Sequence, residues 1–170
     1  MTVLDAAIIA LVTAACFFDL RTRRIPNALT FGAALAGFAF AAAMNGLSGL
    51  GMSLAGWAVA VALFLPFFLL RGMGAGDVKL LGAIGAWLGP AGALVAGFFT
   101  AVAGGVLALV VVLARGYFAE SMRNLWAILM HWRVFGLRPV PEMTLQSSRG
   151  PRLAYAVPIA AGALVTLWIR

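Results

Sequence analysis

Cysteine and charged residues are scarce in this sequence, and each shortage excludes a class of protein. The single cysteine, Cys16, excludes a disulfide framework and a cysteine-rich zinc module. Only 10% of the residues are charged while 64% are apolar, and the mean hydropathy is +1.06. No soluble domain of this length buries that much apolar surface, so the sequence predicts a protein whose solvent is lipid.

The distribution of the basic residues argues against nucleic acid as a partner, although the net charge is +7. Most basic residues lie in gaps between apolar runs, which is typical of cytoplasmic loops in membrane proteins. Arg21, Arg23 and Arg24 follow the first run, whereas the gaps 45–51 and 89–91 hold no basic residue. This asymmetry predicts six spans with the basic loops in the cytoplasm and both chain ends on the other side.

The apolar runs predict an all-α, polytopic membrane protein with about six transmembrane helices in one integral domain, residues 1–170. A span needs about 20 residues, or fewer among close neighbours. The first run has no basic start and carries Asp5, so we expect a membrane helix rather than a cleaved signal. The predicted helices are Val3–Phe18, Ala28–Met44, Met52–Leu70, Val78–Leu88, Gly92–Ala114 and Ala154–Ile169. Small residues that are expected at close helix contacts include Gly32, Gly82, Gly85, Gly104 and Gly105.

The segment after the fifth predicted span has a different pattern. Apolar residues at helical spacing predict an amphipathic helix at the membrane surface; they are Phe118, Met122, Leu125, Leu129 and Trp132. The polar face includes His131, the only histidine, which is either a general base or simply part of a face turned to water. The stretch Gly136–Gly150 contains prolines and serines and predicts a loop.

Two acidic residues lie where charge is costly in a membrane protein. Asp19 ends the first apolar run and Asp77 opens the fourth, so six spans place both at the cytoplasmic side, where helix packing can join them. Structural alternatives are an N-cap role for Asp77 and an exposed ion pair between Asp19 and a neighbouring arginine. The glycines of Gly74-Ala75-Gly76 favour a working site, because they leave room for a substrate backbone beside Asp77.

Two carboxylates that share one proton can hydrolyse a peptide bond. The ionised member takes a proton from a bound water as the water attacks the scissile carbonyl. The protonated member stabilises the charge that develops on oxygen and supplies a proton to the leaving amine. The sequence does not assign the two roles. A helix turns Lys79 away from Asp77. Two interpretations are open for Lys79: it binds a substrate carboxylate or a lipid phosphate, or its side chain extends to the membrane interface.

Two segments resemble the signature of the type IV prepilin peptidases. The segment Gly74-Ala75-Gly76-Asp77-Val78-Lys79-Leu80 is similar to their G-x-G-D-x-K-L motif. The segment Asp19-Leu20-Arg21-Thr22-Arg23-Arg24-Ile25-Pro26-Asn27 is similar to their other catalytic segment, an Asp followed after a basic stretch by Ile-Pro-Asn. A third, from Arg152 to Ala160, resembles a weaker C-terminal motif. The resemblance implies a catalytic pair, Asp19 and Asp77, and residues that bind substrate or support the site, Gly74, Gly76, Lys79, Pro26 and Asn27.

The resemblance also implies a function and a location. It implies an aspartic endopeptidase of the bacterial or archaeal inner membrane. Such an enzyme cuts short basic leaders from prepilins or pseudopilins at the cytoplasmic face. The implied partners are membrane lipid and the pilus-assembly machinery, and no metal or cofactor is implied. Larger members carry a Cys-x-x-Cys zinc insert and also methylate the new N-terminus. This chain has one cysteine and a short gap after its first helix. It therefore resembles the compact branch associated with Flp-type, tight-adherence pili, and we do not expect methylation.

Two other functions fit parts of the sequence. A small ion- or proton-coupled transporter also uses intramembrane carboxylates, but it places them near the bilayer midplane, whereas Asp19 and Asp77 lie at the ends of spans. A non-catalytic assembly subunit of a pilus or secretion machine needs neither carboxylate. The residues therefore rank the peptidase first, the transporter second and the assembly subunit third.

Overall fold

A computed structural model describes residues 2–70, 73–116, 118–136 and 154–170. These residues form helices and no strand, so the all-α prediction is confirmed for this part of the chain. The helices are α1 (Val3–Thr22), α2 (Asn27–Leu69), α3 (Ala75–Ala114), α4 (Phe118–Phe135) and α5 (Ala156–Trp168). Most of the predicted loop (137–150), together with Arg71, Arg152 and Leu153, lies outside the described residues.

Helix α1 begins at a capping box and ends one turn later than predicted. The Thr2 hydroxyl accepts the Asp5 N–H at 3.2 Å, and the Asp5 carboxylate accepts the Thr2 N–H at 2.7 Å, so both donors are paired. The helix runs to Thr22 and ends at Arg23, whose φ of 54° is left-handed. Because the predicted end was Phe18, the correction places Asp19 inside the last turn of α1.

Helix α2 joins the predicted second and third helices and is broken at Asn45 and Gly46. Gly46 has φ 61° and ψ −146°, a conformation that residues with side chains rarely adopt. Just beyond the break, a Cβ on Gly49 would overlap the Ala41 carbonyl oxygen. A straight helix keeps residues eight positions apart about 12 Å from each other, so the chain must reverse here. The predicted gap between the two helices is too long, because the chain returns to helix directly after Gly46.

Helix α3 joins the predicted fourth and fifth helices and is broken at Gly89, where φ is 72° and ψ is −179°. Pro90 follows the break, and its fixed φ and missing N–H suit the first turn of a helix. The helix begins at Ala75 rather than at Val78. Asp77 therefore lies in the first turn of α3.

Three helices are long and apolar enough to cross a membrane, α1, α2 and α3, and α5 is a shorter apolar helix. The 43 residues of α2 would reach about 65 Å if they were straight, roughly twice the ~30 Å of the hydrocarbon core. The breaks divide the two long helices into arms, which we name α2a (27–44), α2b (47–69), α3a (75–88) and α3b (90–114). The count of six spans itself stays a prediction.

The arm α3a lies at the centre of the bundle, between α2a and α2b. The Trp87 indole N–H donates to the Ala33 carbonyl of α2a at 2.9 Å. On the α2b side, Gly56 and Gly85 approach so closely that a Cβ on either would overlap the carbonyl oxygen of the other. Such contacts explain why the first half of α3 is almost wholly buried, since small residues let helix backbones meet in lipid.

The prediction that these glycines lie at close helix contacts is confirmed at some positions and is wrong at others. An added Cβ would meet side chains of α2b at Gly82, the Gly56 backbone at Gly85, and the Tyr155 ring at Gly104. At Gly32 and Gly105 it would meet open space. Those two glycines therefore face away from the helix contacts that the described residues make.

The bundle has two distinct ends. At one end Lys79 of α3a bonds to Asn27 of α2a, and we call this the aspartate end because it also holds Asp19 and Asp77. At the opposite end a cavity of about 380 Å³ is lined by residues that include Leu4, Asn45 and Gly89. The start of α1 and the breaks in α2 and α3 therefore lie together, away from the aspartates.

Helix α4 follows α3 after a short turn and has the predicted amphipathic pattern. The side chains of Phe118, Met122, Leu125 and Leu129 are about half exposed, so the described residues leave its apolar face uncovered. A membrane-surface position for α4 stays a prediction.

Candidate active site

Four helix ends meet at the aspartate end of the bundle. The last turn of α1 carries Asp19, and the first turns of α2, α3 and α5 carry Asn27, Asp77 and Ala156. Hydrogen bonds join α1 to α5 and α2 to α3, and an electrostatic interaction joins α1 to α3. Residues far apart in the sequence are thereby brought into one region.

Asp19 is buried and is held by the backbone of α5. Its side chain is 7% exposed, and its Oδ2 accepts the Ala156 N–H at 3.1 Å. The first N–H groups of a helix have no partner inside the helix, and the positive end of the helix dipole favours a nearby anion. The Cys16 thiol, one turn earlier on α1, donates to the Ala156 carbonyl at 3.4 Å. An exposed ion pair is therefore the wrong interpretation of Asp19.

Asp77 lies in the first turn of α3, where its own N–H donates to the Gly74 carbonyl at 3.2 Å. The N-cap of this helix is Gly74, so the interpretation of Asp77 as an N-cap is wrong. The Asp77 carboxyl group lies within electrostatic range of both the Asp19 carboxyl group and the Tyr155 phenol. The two aspartates are thus neighbours at the junction of α1, α3 and α5.

The motif glycines have different surroundings. A Cβ added to Gly74 would lie 3.0 Å from Asp77 Oδ2, so the missing side chain leaves space next to the carboxylate. A Cβ added to Gly76 would lie 3.3 Å from the Ile25 Cβ, which belongs to the turn between α1 and α2. The absence of a side chain at Gly74 therefore avoids crowding of the Asp77 carboxylate, whereas its absence at Gly76 permits close packing of α3 against that turn.

The remaining predicted site residues link α2 to α3. The Lys79 ammonium donates to Asn27 Oδ1 at 2.9 Å and lies 5.1 Å from the centre of the Phe31 ring. Pro26 is the N-cap residue of α2, and its carbonyl accepts the Leu29 N–H at 3.1 Å. The structure therefore brings Lys79, Asn27 and Pro26 together beside the aspartates, on the α2 side of α3.

Sequence reasoning missed the part that α5 plays. Ala156 supplies its backbone N–H to Asp19, and this has no signature in residue type, since every residue except proline carries such a group. Tyr155 is half-buried against Gly104, and its one signal in the sequence is its place in the C-terminal motif. His131 belongs to α4 and to none of the four helix ends that form the site.

The chemistry available at this site is that of paired carboxylates. Within the described ranges, no group of three or more His, Cys, Asp or Glu side chains comes together in a way that could hold a metal ion. A buried carboxylate that accepts a backbone N–H and a second carboxylate near it are groups that can bind and polarise a water molecule.

Comparison with known proteins relates the chain to a peptidase family. The model of the type IV leader peptidase family matches residues 6–109, a stretch that contains Asp19, Pro26, Asn27 and the segment from Gly74 to Lys79. Neither the search of curated proteins nor the search of solved structures found a match. The matched stretch covers more than half of the chain and leaves out α4 and α5.

Proposed function

The chain belongs to the type IV leader peptidase family, and on this premise we propose that it is a membrane-embedded aspartic endopeptidase with Asp19 and Asp77 as its catalytic pair. The observation that carries the proposal is that Asp19, buried in the last turn of α1, and Asp77, in the first turn of α3, lie together where these helix ends meet. The family match by itself supports a leader-peptidase-like hydrolase, and the geometry adds the residues.

The hydrogen-bond partners of the two aspartates suggest different roles for them. Asp19 accepts a backbone N–H at the start of α5, where the positive end of the helix dipole lies. We therefore assign Asp19 as the base that takes a proton from water while the water oxygen bonds to the scissile carbon. Asp77 keeps the shared proton, donates a hydrogen bond to the carbonyl oxygen, and then supplies the proton as the C–N bond breaks and the amine leaves.

The proposed location is the bacterial or archaeal inner membrane, with the aspartate end at the cytoplasmic face. The long apolar helices and the two breaks at the opposite end support a multi-pass arrangement with six spans in a single domain. Arg21, Arg23 and Arg24 lie at the aspartate end, and the turn at the break in α2 carries no basic residue. This charge distribution is typical of an aspartate end in the cytoplasm.

The proposed substrates are prepilins or pseudopilins, which lose a short basic leader, with the Flp-type class first. Only four residues separate the end of α1 at Thr22 from the start of α2 at Asn27, so no zinc-binding insert lies between these helices. The compact arrangement supports cleavage without methylation, in association with pilus-assembly or secretion machinery.

The test is co-expression of the chain with a Flp-type prepilin, with the mass of the prepilin as the measurement. Asp19→Asn and Asp77→Asn are expected to lower the cleavage rate at least about 100-fold, because each removes a group that transfers a proton. Asp5→Asn is the matched control, since Asp5 is an aspartate of the same helix α1 at the opposite end. Cleavage that persists in either site variant contradicts the catalytic pair, and ion uptake by vesicles without cleavage would favour the transporter.

A further inference from the structure

A second cavity of about 380 Å³ opens beside the candidate active site, and we call it the α2 groove. One wall is formed by Phe31 and Ala34 of α2a, the other by residues of α2b, and Val78 of α3a lines it between them. Val78 directly follows Asp77, so the groove lies against the same turn of α3 that carries this aspartate.

The α2 groove has the length of one leaflet of a membrane. Its α2b wall is a stripe at helical spacing, Trp57, Val61, Leu65 and Phe68. Along a helix, residues 57 to 68 span about 16 Å. This is roughly half of the ~30 Å hydrocarbon core, which is the depth that an acyl chain of a single leaflet occupies.

One cation lies at the aspartate end of the α2 groove. Among the described residues that line the cavity, Lys79 is the charged one. Its ammonium has three donors, of which Asn27 Oδ1 takes one at 2.9 Å, while the Phe31 ring lies against it at 5.1 Å. These partners are neutral, and among the described residues no carboxylate pairs with Lys79. The ammonium is therefore placed to bind an anion at the mouth of an apolar groove.

We propose that the α2 groove binds one anionic phospholipid, with its phosphate on the Lys79 ammonium and one acyl chain along α2b. The position of the charge and the apolar length match the two parts of such a lipid. The site goes beyond the proposed peptidase function and does not depend on it. It would place a lipid against the same turn of α3 that carries Asp77.

A peptide is a poorer occupant of this groove. An extended peptide brings N–H and C=O groups that must be hydrogen-bonded inside the membrane. Apart from Lys79, the described lining residues offer two polar groups, the Trp57 indole N–H and the Thr30 hydroxyl, which already donates to the Asn27 carbonyl at 3.2 Å. Two such groups are too few for the many N–H and C=O groups of an extended peptide. An acyl chain has no polar group to satisfy, so the apolar walls suit it without cost.

The test uses the full chain, purified and reconstituted in phosphatidylcholine vesicles that contain a small share of lipid with a brominated acyl chain. Bromine quenches tryptophan fluorescence on contact, and Trp57 lines the groove. The fluorescence of Trp57 is obtained by subtracting the tryptophan fluorescence of Trp57→Phe from that of the wild type. We expect brominated phosphatidylglycerol to quench Trp57 at about fivefold lower mole fraction than brominated phosphatidylcholine, the preference that one lysine at the membrane surface supplies.

Variants of Lys79 test whether the preference for phosphatidylglycerol arises in the groove. Lys79→Gln is expected to remove it, and Lys79→Arg is expected to keep it. Arg21→Gln is the matched control and is expected to keep it too, because Arg21 lies over the Phe17 ring at 5.5 Å at the same end but outside the groove.

Two results would overturn the lipid site. The first is equal quenching of wild-type Trp57 by both brominated lipids, a measurement that needs no lysine variant to fold. If an added apolar peptide also protects Trp57 in that case, the groove is assigned to peptide. The second result is a preference for phosphatidylglycerol that survives Lys79→Gln. None of these readouts uses cleavage, so failure of the lipid site and failure of the peptidase proposal are separate outcomes.

Discussion

Replacing Asp19 by alanine and by asparagine should separate its structural contribution from its chemical one. Both substitutions remove the carboxyl group, so the difference between the two variants reports mainly on the hydrogen bond from the Ala156 N–H at 3.1 Å. The asparagine oxygen can still accept this bond, whereas alanine leaves the N–H without a partner at a position where Asp19 is only 7% exposed.

The expected difference follows from the burial of the donor. A buried N–H that loses its acceptor costs about 1–3 kcal/mol. Asp19→Ala should therefore unfold more easily than Asp19→Asn by about that amount, and neither variant should cleave prepilin. The measurement is the free energy of unfolding of the purified protein in detergent, with cleavage assayed on the same preparations.

Asp5 provides the matched control for this comparison. It lies on the same helix and also accepts a backbone N–H, from Thr2 at 2.7 Å, but at a site where water can replace the lost acceptor. The difference between Asp5→Ala and Asp5→Asn should therefore be much smaller than the difference at Asp19, with cleavage unchanged. If Asp19→Ala and Asp19→Asn are equally stable, the anchoring of Asp19 by α5 is refuted.

Three further predictions concern the bundle. Gly85→Ala should lower the free energy of unfolding by about 1–3 kcal/mol, because a Cβ at this position overlaps the backbone of α2b. Gly32→Ala is the control in the same unfolding assay. It should be neutral or stabilising by up to about 1 kcal/mol, because a Cβ on Gly32 meets open space on a helix. Gly46→Ala should cost about 1–3 kcal/mol through its φ of 61° and ψ of −146°, and an unchanged unfolding free energy would mean that the chain does not turn there. Single cysteines at Thr22 and Ser48, in a cysteine-free background, should react with an impermeant thiol reagent from opposite sides of the membrane, and labelling from the same side would rule out the six-span arrangement.

Much of the site was predictable because its chemistry depends on residue types at fixed places along the chain. A carboxylate at the end of an apolar run has few structural uses in lipid, so Asp19 and Asp77 stand out by their positions in the sequence. The basic residues near Asp19 and the glycines near Asp77 also identify the family to which the chain belongs. Helix boundaries were less predictable, because the gap predicted at 45–51 is only a short break at Asn45–Gly46 and α3 begins at Ala75, among the glycines that precede the apolar run.

The tertiary structure decided which groups meet. Whether Gly76 leaves an open approach or accommodates Ile25 depends on where the turn between α1 and α2 lies, and no local pattern specifies that position. The bond between Lys79 and Asn27, and the α2 groove beside it, exist because the two arms of α2 pack on either side of α3a.

The sequence by itself determined the solvent, the helical class, the family and the two candidate carboxylates, because composition and side-chain chemistry carry that information directly. Only the tertiary structure decided how Asp19 is held, since the donor is the Ala156 N–H at the start of a helix that follows far along the chain. Every residue except proline carries the same backbone donor. The packing of α5 against α1 is what brings the Ala156 N–H to the Asp19 carboxylate.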